Sequence, residues 1–300
     1  MNSLPKRFSF KAMGSFCEIQ LCEESPTHAK KTVQLLTDEV ARLERKYSRF
    51  RKDSFLTEIN LAAGNSHGME IDSETVSLLE HAQNCFDISD GLFDITAGAL
   101  NEIWDFKNAV IPSQEQIDNA LTHVGFERLS WEDSRLQLPL GAQIDFGGIV
   151  KEYAADSAAR LARGLGVQHG LVNLGGDFSV IGPLPDQLPW TVAIANPDPQ
   201  QSVMAKVDLK DGGLASSGDY ERCFIHEGRR YSHILNPKTG WPCTGLRAVS
   251  VAANLCTVAG SVATIALLKD EVQAQEWLQE SQLPHVFMNS LGVIGGSTLV

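Results

Sequence analysis

A serine pair, a carboxylate, an imidazole and a lysine crowd together between Leu214 and Pro242, in the run LASSGDYERCFIHEGRRYSHILNPKTGWP. Ser216, Ser217 and Asp219 precede a segment rich in β-formers, Tyr220 to Ile225. His226-Glu227-Gly228 has the composition of a turn, and Tyr231 to Leu235 returns as a second strand carrying His233. Asn236-Pro237-Lys238-Thr239-Gly240 then turns the chain again, with Lys238 and Thr239 held between Pro and Gly. An imidazole of ordinary pKa, about 6.5, exchanges protons near neutrality, so His233 is the candidate general base. A solvated hairpin would use many of the same turn residues. The concentration of titratable and hydroxyl groups at the loop ends of one small unit is what favours a site.

A second informative stretch is QIDFGGIVKEYAADSAARLARGLGV. A short strand is expected to end at Asp145, two glycines turn the chain, and a helix begins near Val150 with Val150, Ala154, Ala158, Leu161 and Leu165 on its apolar face. Glycines ahead of a helix N-terminus let backbone N–H groups approach an anion, and Lys151 adds charge in the first turn. Lysine there opposes the helix dipole, so a negative ligand explains it better than helix stability does. Asp94 and Thr96 stand among apolar residues between Gly91 and Gly98. A buried acid must be paired or hydrogen-bonded, and capping nearby backbone accounts for Asp94 as well as a ligand contact does. Asp177, after a double Gly, reads as a turn residue.

The elements that must position these groups follow from periodicity. Arg7 to Leu21 alternates as a strand interrupted at Met13-Gly14-Ser15, where Gly suggests a bulge or a close backbone approach. Ser25-Pro26 starts a helix with Ala29, Val33, Leu36, Val40 and Leu43 at helical spacing. KYSRFRKDSFLTEIN follows as a basic exit loop or a ligand contact. Ser73 looks like the N-cap of a second helix with Val76, Leu79 and Phe86 on one face. A short helix over 112–124, a hairpin over 129–138, paired strands after residue 170, and helices over 259–268 and 271–280 complete a mixed α+β order, expected as a single domain over 1–300.

Composition narrows the function. A net charge of −12 argues against a nucleic-acid surface, which needs clustered Lys and Arg. An apolar share of 43% and a charged share of 21% are those of a soluble globular chain. No apolar run marks a signal peptide or membrane span. Six cysteines without a CxxC pair read as reduced thiols, so a cytoplasmic location is expected and a zinc site is not.

Seven blocks, MGS (13–15), SRFRKDSFLTEIN (48–60), GLFDITAGAL (91–100), IDFGGIVKEYAAD (144–156), VNLGGDFSVIG (172–182), SSGDYERCF (216–224) and YSHILNPKTGWP (231–242), occur in this order. By them the chain closely resembles the FAD:protein FMN transferases of the ApbE type, from about Phe8 to Leu268. The resemblance implies a T-fold-like α+β domain that binds FAD and, with Mg²⁺, moves its FMN half onto a Thr or Ser hydroxyl of a target flavoprotein, releasing AMP. Members that hydrolyse FAD instead, and an FAD binder without transfer chemistry, are the alternatives.

Carried over by position, the resemblance implies that Met13 and the Arg49–Phe50 region line the flavin–adenine pocket. Leu92, Phe93, Asp94, Asp145, Lys151 and His233 contact FAD, with Ser217 and Asp219 of the SGDY block beside them. Gly148, through its carbonyl, and Thr264 match metal-holding positions. The last block departs from the family's A-D-A-x-A-T: this chain reads Ala259-Gly260-Ser261-Val262-Ala263-Thr264, with Gly260 where the family has a metal-binding Asp. Mg²⁺ prefers carboxylate oxygens, so the expectation is a weak or replaced metal site, which Gly260→Asp would strengthen.

Overall fold

The computed structural model describes residues 4–297 apart from 24, 199, 202 and 221. The chain begins with the hairpin β1 (Lys6–Ala12) and β2 (Ser15–Leu21). This replaces the single interrupted strand expected there: Met13 and Gly14 form the turn, with φ of 50° and 70°. Positive φ at both central positions matches the twist of the flanking strands, and at Met13, a non-glycine, it is uncommon.

Then come α1 (Pro26–Tyr47), α2 (Phe55–Leu61), β3 (Met69–Glu70), α3 (Ser73–Ile88), α4 (Gln114–Leu121), β4 (Ser130–Glu132) and β5 (Arg135–Gln137). Helix α1 starts at Pro26 behind the Ser25 cap and buries Ala29, Leu36, Val40 and Leu43. The basic segment after it is not only a loop. Ser54 accepts from the Thr57 N–H and opens α2, which buries Leu56 and Ile59. At α3 the N-cap is Asp72 rather than Ser73, its side chain accepting from the Thr75 N–H at 2.9 Å.

The second half holds α5 (Val150–Gly164), β6 (Gly170–Leu174), β7 (Asp177–Gly182), β8 (Trp190–Ala195), β9 (Val203–Leu209), β10 (Gly213–Gly218), β11 (Cys223–His226), β12 (Arg229–Ser232), β13 (Ala248–Ala253), α6 (Cys256–Leu268), α7 (Glu271–Glu280), β14 (His285–Met288) and β15 (Ile294–Gly296). Residues before Asp145 make only a bridge, Ala97 to Gln143, instead of the expected strand. Asn60 fixes that loop from α2, accepting from the Ile144 N–H at 2.9 Å and donating to its carbonyl at 3.0 Å.

Eight strands form one antiparallel sheet, ordered β1-β2-β6-β7-β10-β13-β14-β15. Its two faces follow from side-chain alternation. Val172, Leu174, Ala215, Val249 and Val251 point into the main core beneath α5 and α6, whereas Leu171, Leu214 and Ala248 join Trp190, Val192 and Val207 of the β8–β9 ribbon on the opposite face. Helix α6 is apolar on nearly every side because β10, β13, α5 and α7 surround it. A third cluster, Leu100, Trp104, Ile117, Tyr231 and Leu235, ties the β11–β12 hairpin to α4. The eight-stranded sheet and α5–α6 layer therefore form the platform, and the hairpin and loops stand at its rim.

Candidate active site

A cleft of about 670 Å³ opens where the β1–β2 turn, the end of α1, the start of α5, the end of β10 and α6 converge. Met13, Phe50, Leu92, Phe93, Asp94, Asp145, Gly148, Lys151, Ser217, His233 and Thr264 all line it. Asp219 does not. Its carboxylate lies 3.3 Å from Arg230 Nη1 on β12.

The start of α5 is the most polar part of the floor. Its N-cap is Ile149, which makes no side-chain cap; the Ile149 and Val150 N–H groups donate to the Phe146 carbonyl at 2.9 Å, and the helix start faces the cleft beside Gly147 and Gly148. Lys151 Nζ lies 2.7 Å from Asp177 Oδ2. Asp177 is completely buried and also accepts from the Ser216 N–H at 3.1 Å. The residue read as a turn former thus steadies both the lysine and the serine strand. Asp145 accepts from Gly147 N–H at 2.8 Å and from Asn101 at 3.3 Å, with Arg49 Nε at 3.5 Å. The Arg49 guanidinium lies 4.7 Å over the Phe50 ring, which is widely exposed toward the cleft mouth.

Asp94 serves the backbone. Its Oδ1 accepts from Thr96 N–H at 2.7 Å and from the Thr96 hydroxyl at 2.6 Å, and its Oδ2 from Phe126 N–H at 3.2 Å. Burial pushes its carboxyl up, against those hydrogen bonds.

His233 departs from the ordinary imidazole expected of it. It follows β12 rather than lying in it, its N–H donates to the Arg222 carbonyl at 3.0 Å, and its Nδ1 is buried without a hydrogen-bond partner. Burial, then the positive charge of Arg222, with smaller contributions from Lys151 and Arg49, lowers its pKa to about 4. The ring is therefore neutral at neutral pH and able to accept a proton. Since the unfolded chain titrates at about 6.5, stability linked to His233 is whole above pH 6.5 and is lost as pH falls from there toward 4. Urea unfolding at pH 7.5 and pH 5 should show the parent losing more stability on acidification than His233→Gln; parallel losses would contradict this.

Three groups escaped the sequence reading. Trp104 and Phe106 stack at 5.5 Å, nearly parallel, on the cleft wall. Asp156 is buried beneath α6 and makes four hydrogen bonds, with the N–H groups of Cys256 (3.0 Å) and Thr257 (2.9 Å) and the hydroxyls of Ser179 (2.8 Å) and Thr257 (2.7 Å). It caps α6 from α5, where a negative charge also suits the helix dipole. Glu152 is only 6% exposed, lines the cleft, and its Oε2 has no hydrogen-bond partner. Burial first, then the negative Asp177, holds its carboxyl well above the usual range. The one signal for both acids was their place, two residues from the apolar face of α5 and four apart.

No group of three or more His, Cys, Asp or Glu side chains that could hold a metal occurs among the described residues. An oxygen-rich arrangement is nonetheless present. Ser217 and Thr264 hydroxyls lie 3.1 Å apart, a Cβ at Gly148 would come 3.9 Å from the Thr264 methyl, and Glu152 with its unpartnered Oε2 lines the same cleft. These donors suit a hard divalent cation. At Gly260 the structure corrects the simple picture of a missing acid. A Cβ there would come 2.6 Å from Glu152 Cγ and 2.8 Å from its Oε1, so an Asp introduced at 260 must displace the Glu152 side chain before it can act as a ligand.

Fold and cleft together are those of a flavin-transferase scaffold, and the chain belongs to the ApbE family, whose model matches residues 13–287. It is 28% identical over 280 residues to the FAD:protein FMN transferase of Vibrio cholerae serotype O1, covering 91% of this chain and 84% of that protein. With the Escherichia coli K12 FAD:protein FMN transferase it shares 30% identity over 246 residues, covering 77% and 69%. The crystal structure of the ApbE protein from Thermotoga maritima superposes with a TM-score of 0.90 at 29% identity, covering 98% of this chain and 97% of that one. Apo Pseudomonas stutzeri flavinyl transferase ApbE gives 0.88 at 26% identity, covering 100% and 96%.

Proposed function

We propose that this protein transfers the FMN half of FAD onto a Ser or Thr hydroxyl of a target flavoprotein, releasing AMP. The observation that carries the reading is one cleft holding three features in sequence. Apolar and aromatic walls at Met13, Phe93, Trp104 and Phe106 suit large flat rings. The uncapped start of α5 with Lys151 suits a pyrophosphate. A neutral buried imidazole, His233, lines the same cleft within reach of the Lys151 charge. The similarity to proteins named FAD:protein FMN transferase supports the same assignment.

In this reading the α5 N–H groups and Lys151 hold the two phosphates, and the ring walls exclude water from one face. His233 accepts the proton of the incoming hydroxyl as its oxygen bonds to the FMN phosphorus, and the bond from that phosphorus to the bridging oxygen breaks, so AMP leaves. Gly148 and Thr264 are the residues that would hold Mg²⁺, which when bound supplies neutralisation of phosphate charge. Asp219 acts indirectly, holding Arg230 in the hairpin above the cleft. No helix among the described residues is long and apolar enough to cross a membrane. All six cysteines are free thiols, which fits work in the reducing cytoplasm.

Incubating the pure protein with FAD and Mg²⁺, with and without flavoproteins encoded in neighbouring reading frames, tests the proposal. AMP released only with an acceptor is the expected result. AMP without an acceptor would make the protein a pyrophosphatase, and bound FAD without turnover would make it a carrier or sensor. Titration by flavin fluorescence should also show tighter binding of FAD than of riboflavin.

A further inference from the structure

Four observations meet at one point on the cleft floor. Glu152 is a carboxylate with almost no exposure and an Oε2 that no group in the protein satisfies. Leaving that oxygen buried without a partner is costly, and a buried acid either stays protonated or takes a cation that completes it. Lys151, its neighbour on α5, is engaged by Asp177 at 2.7 Å. The space around the Glu152 side chain exists because residue 260 is glycine, since any Cβ there would sit 2.6–2.9 Å from Glu152 Cγ, Cδ and Oε1. Gly260 and Thr264 are one helical turn apart and so share a face of α6, and Thr264 in turn packs on Gly148 and reaches Ser217.

We infer that Glu152 is the carboxylate ligand of this protein's divalent-cation site, projecting from α5 into the volume left by Gly260 and completing the oxygen set of Thr264 and Gly148. The acid has moved from one helix to the facing one, and the glycine is the accommodation that makes room for it. On this account the missing acid at 260 does not mark a lost metal site. Glutamate reaches one methylene further than aspartate, which is what a ligand carried on the neighbouring helix requires. The inference rests on the flavin-transferase reading only for the location of the cation, beside the phosphates.

The test is cation binding, read without turnover. Mn²⁺ serves as the probe, its free concentration followed by electron paramagnetic resonance, with and without FAD. Changing a residue that merely supports a metal ligand costs roughly 10–100-fold in affinity, so Glu152→Gln, an isosteric neutral change, should weaken Mn²⁺ by at least about that factor. The pair Glu152→Gly with Gly260→Asp, which returns the acid to α6 and clears its path, should recover most of the affinity, whereas Gly260→Asp alone should not exceed the parent. Circular dichroism and thermal melts establish that each variant is folded, and the double variant keeps the test decisive where a single one is not. Parent-like Mn²⁺ affinity in folded Glu152→Gln, or no recovery in the folded double variant, would overturn the inference. FAD titration of the parent in EDTA separates the two readings. No FAD binding in EDTA or with Mn²⁺ present sinks the flavin reading, and FAD binding with Mn²⁺ affinity indifferent to Glu152 sinks only the relocation.

Discussion

Replacing His233 by alanine is expected to cut FMN transfer by roughly 10²-fold or more, the usual scale for a positioned general base, while FAD still binds. The His233 backbone N–H donates to the Arg222 carbonyl just ahead of β11, and the buried ring Nδ1 has no hydrogen-bond partner to compete for a proton. A pKa of about 4 makes it a weak base. The negative charge of a pyrophosphate placed beside Lys151 would favour the imidazolium and raise that value. The pH dependence should therefore differ between the two kinetic parameters. kcat/KM, which reports the free enzyme, should stay level through pH 6.5, and kcat should fall on the acid side at a higher pH than kcat/KM does. Single-turnover AMP release in the presence of acceptor, set against the FAD dissociation constant, measures the loss. Transfer at the parent rate in His233→Ala would show the ring to be structural.

The second large effect is on stability. Asp156→Ala strips four hydrogen bonds from one buried point and leaves two backbone N–H groups at the start of α6 without partners. An unsatisfied buried donor costs about 1–3 kcal/mol, so the loss should reach roughly 3 kcal/mol or more. Helix α6 carries Thr264 on the cleft face, so the surviving folded fraction should also bind divalent cations more weakly. Urea unfolding at neutral pH gives the answer. A change below about 1 kcal/mol would mean that water or a shifted Ser179 replaces the carboxylate.

Much of the fold was legible because it obeys local rules. Ser25-Pro26 announces α1, and Ala29, Leu36, Val40 and Leu43 form its buried stripe. The hairpins at 130–137 and 223–232 turn where Asp133-Ser134 and Glu227-Gly228 take positive φ. Spaced motif residues pointed to one region, and the fold brings Met13, Phe93, Lys151, Ser217 and His233 to one cleft while Asp219 and Lys238 stay outside its lining. What escaped were properties made by packing. Helix α2, seven residues long, is too short to show a clear period. The lowered pKa of His233 comes from burial and from Arg222, neither visible in a string. Asp156 and Glu152 look like ordinary polar positions of an amphipathic helix. Their meaning appears only when α6, one hundred residues later, is laid against α5. The glycine at 260 is the sharpest case: alone it reads as a deleted ligand, and beside Glu152 it reads as a space.

The most direct test of the central claim is the mass of an acceptor flavoprotein after incubation with this protein, FAD and Mg²⁺. The account predicts one FMN added covalently at a single Ser or Thr, with one AMP released for each FMN bound and none without the acceptor. An acceptor of unchanged mass, alongside FAD that is either intact or split to free FMN and AMP, would contradict it.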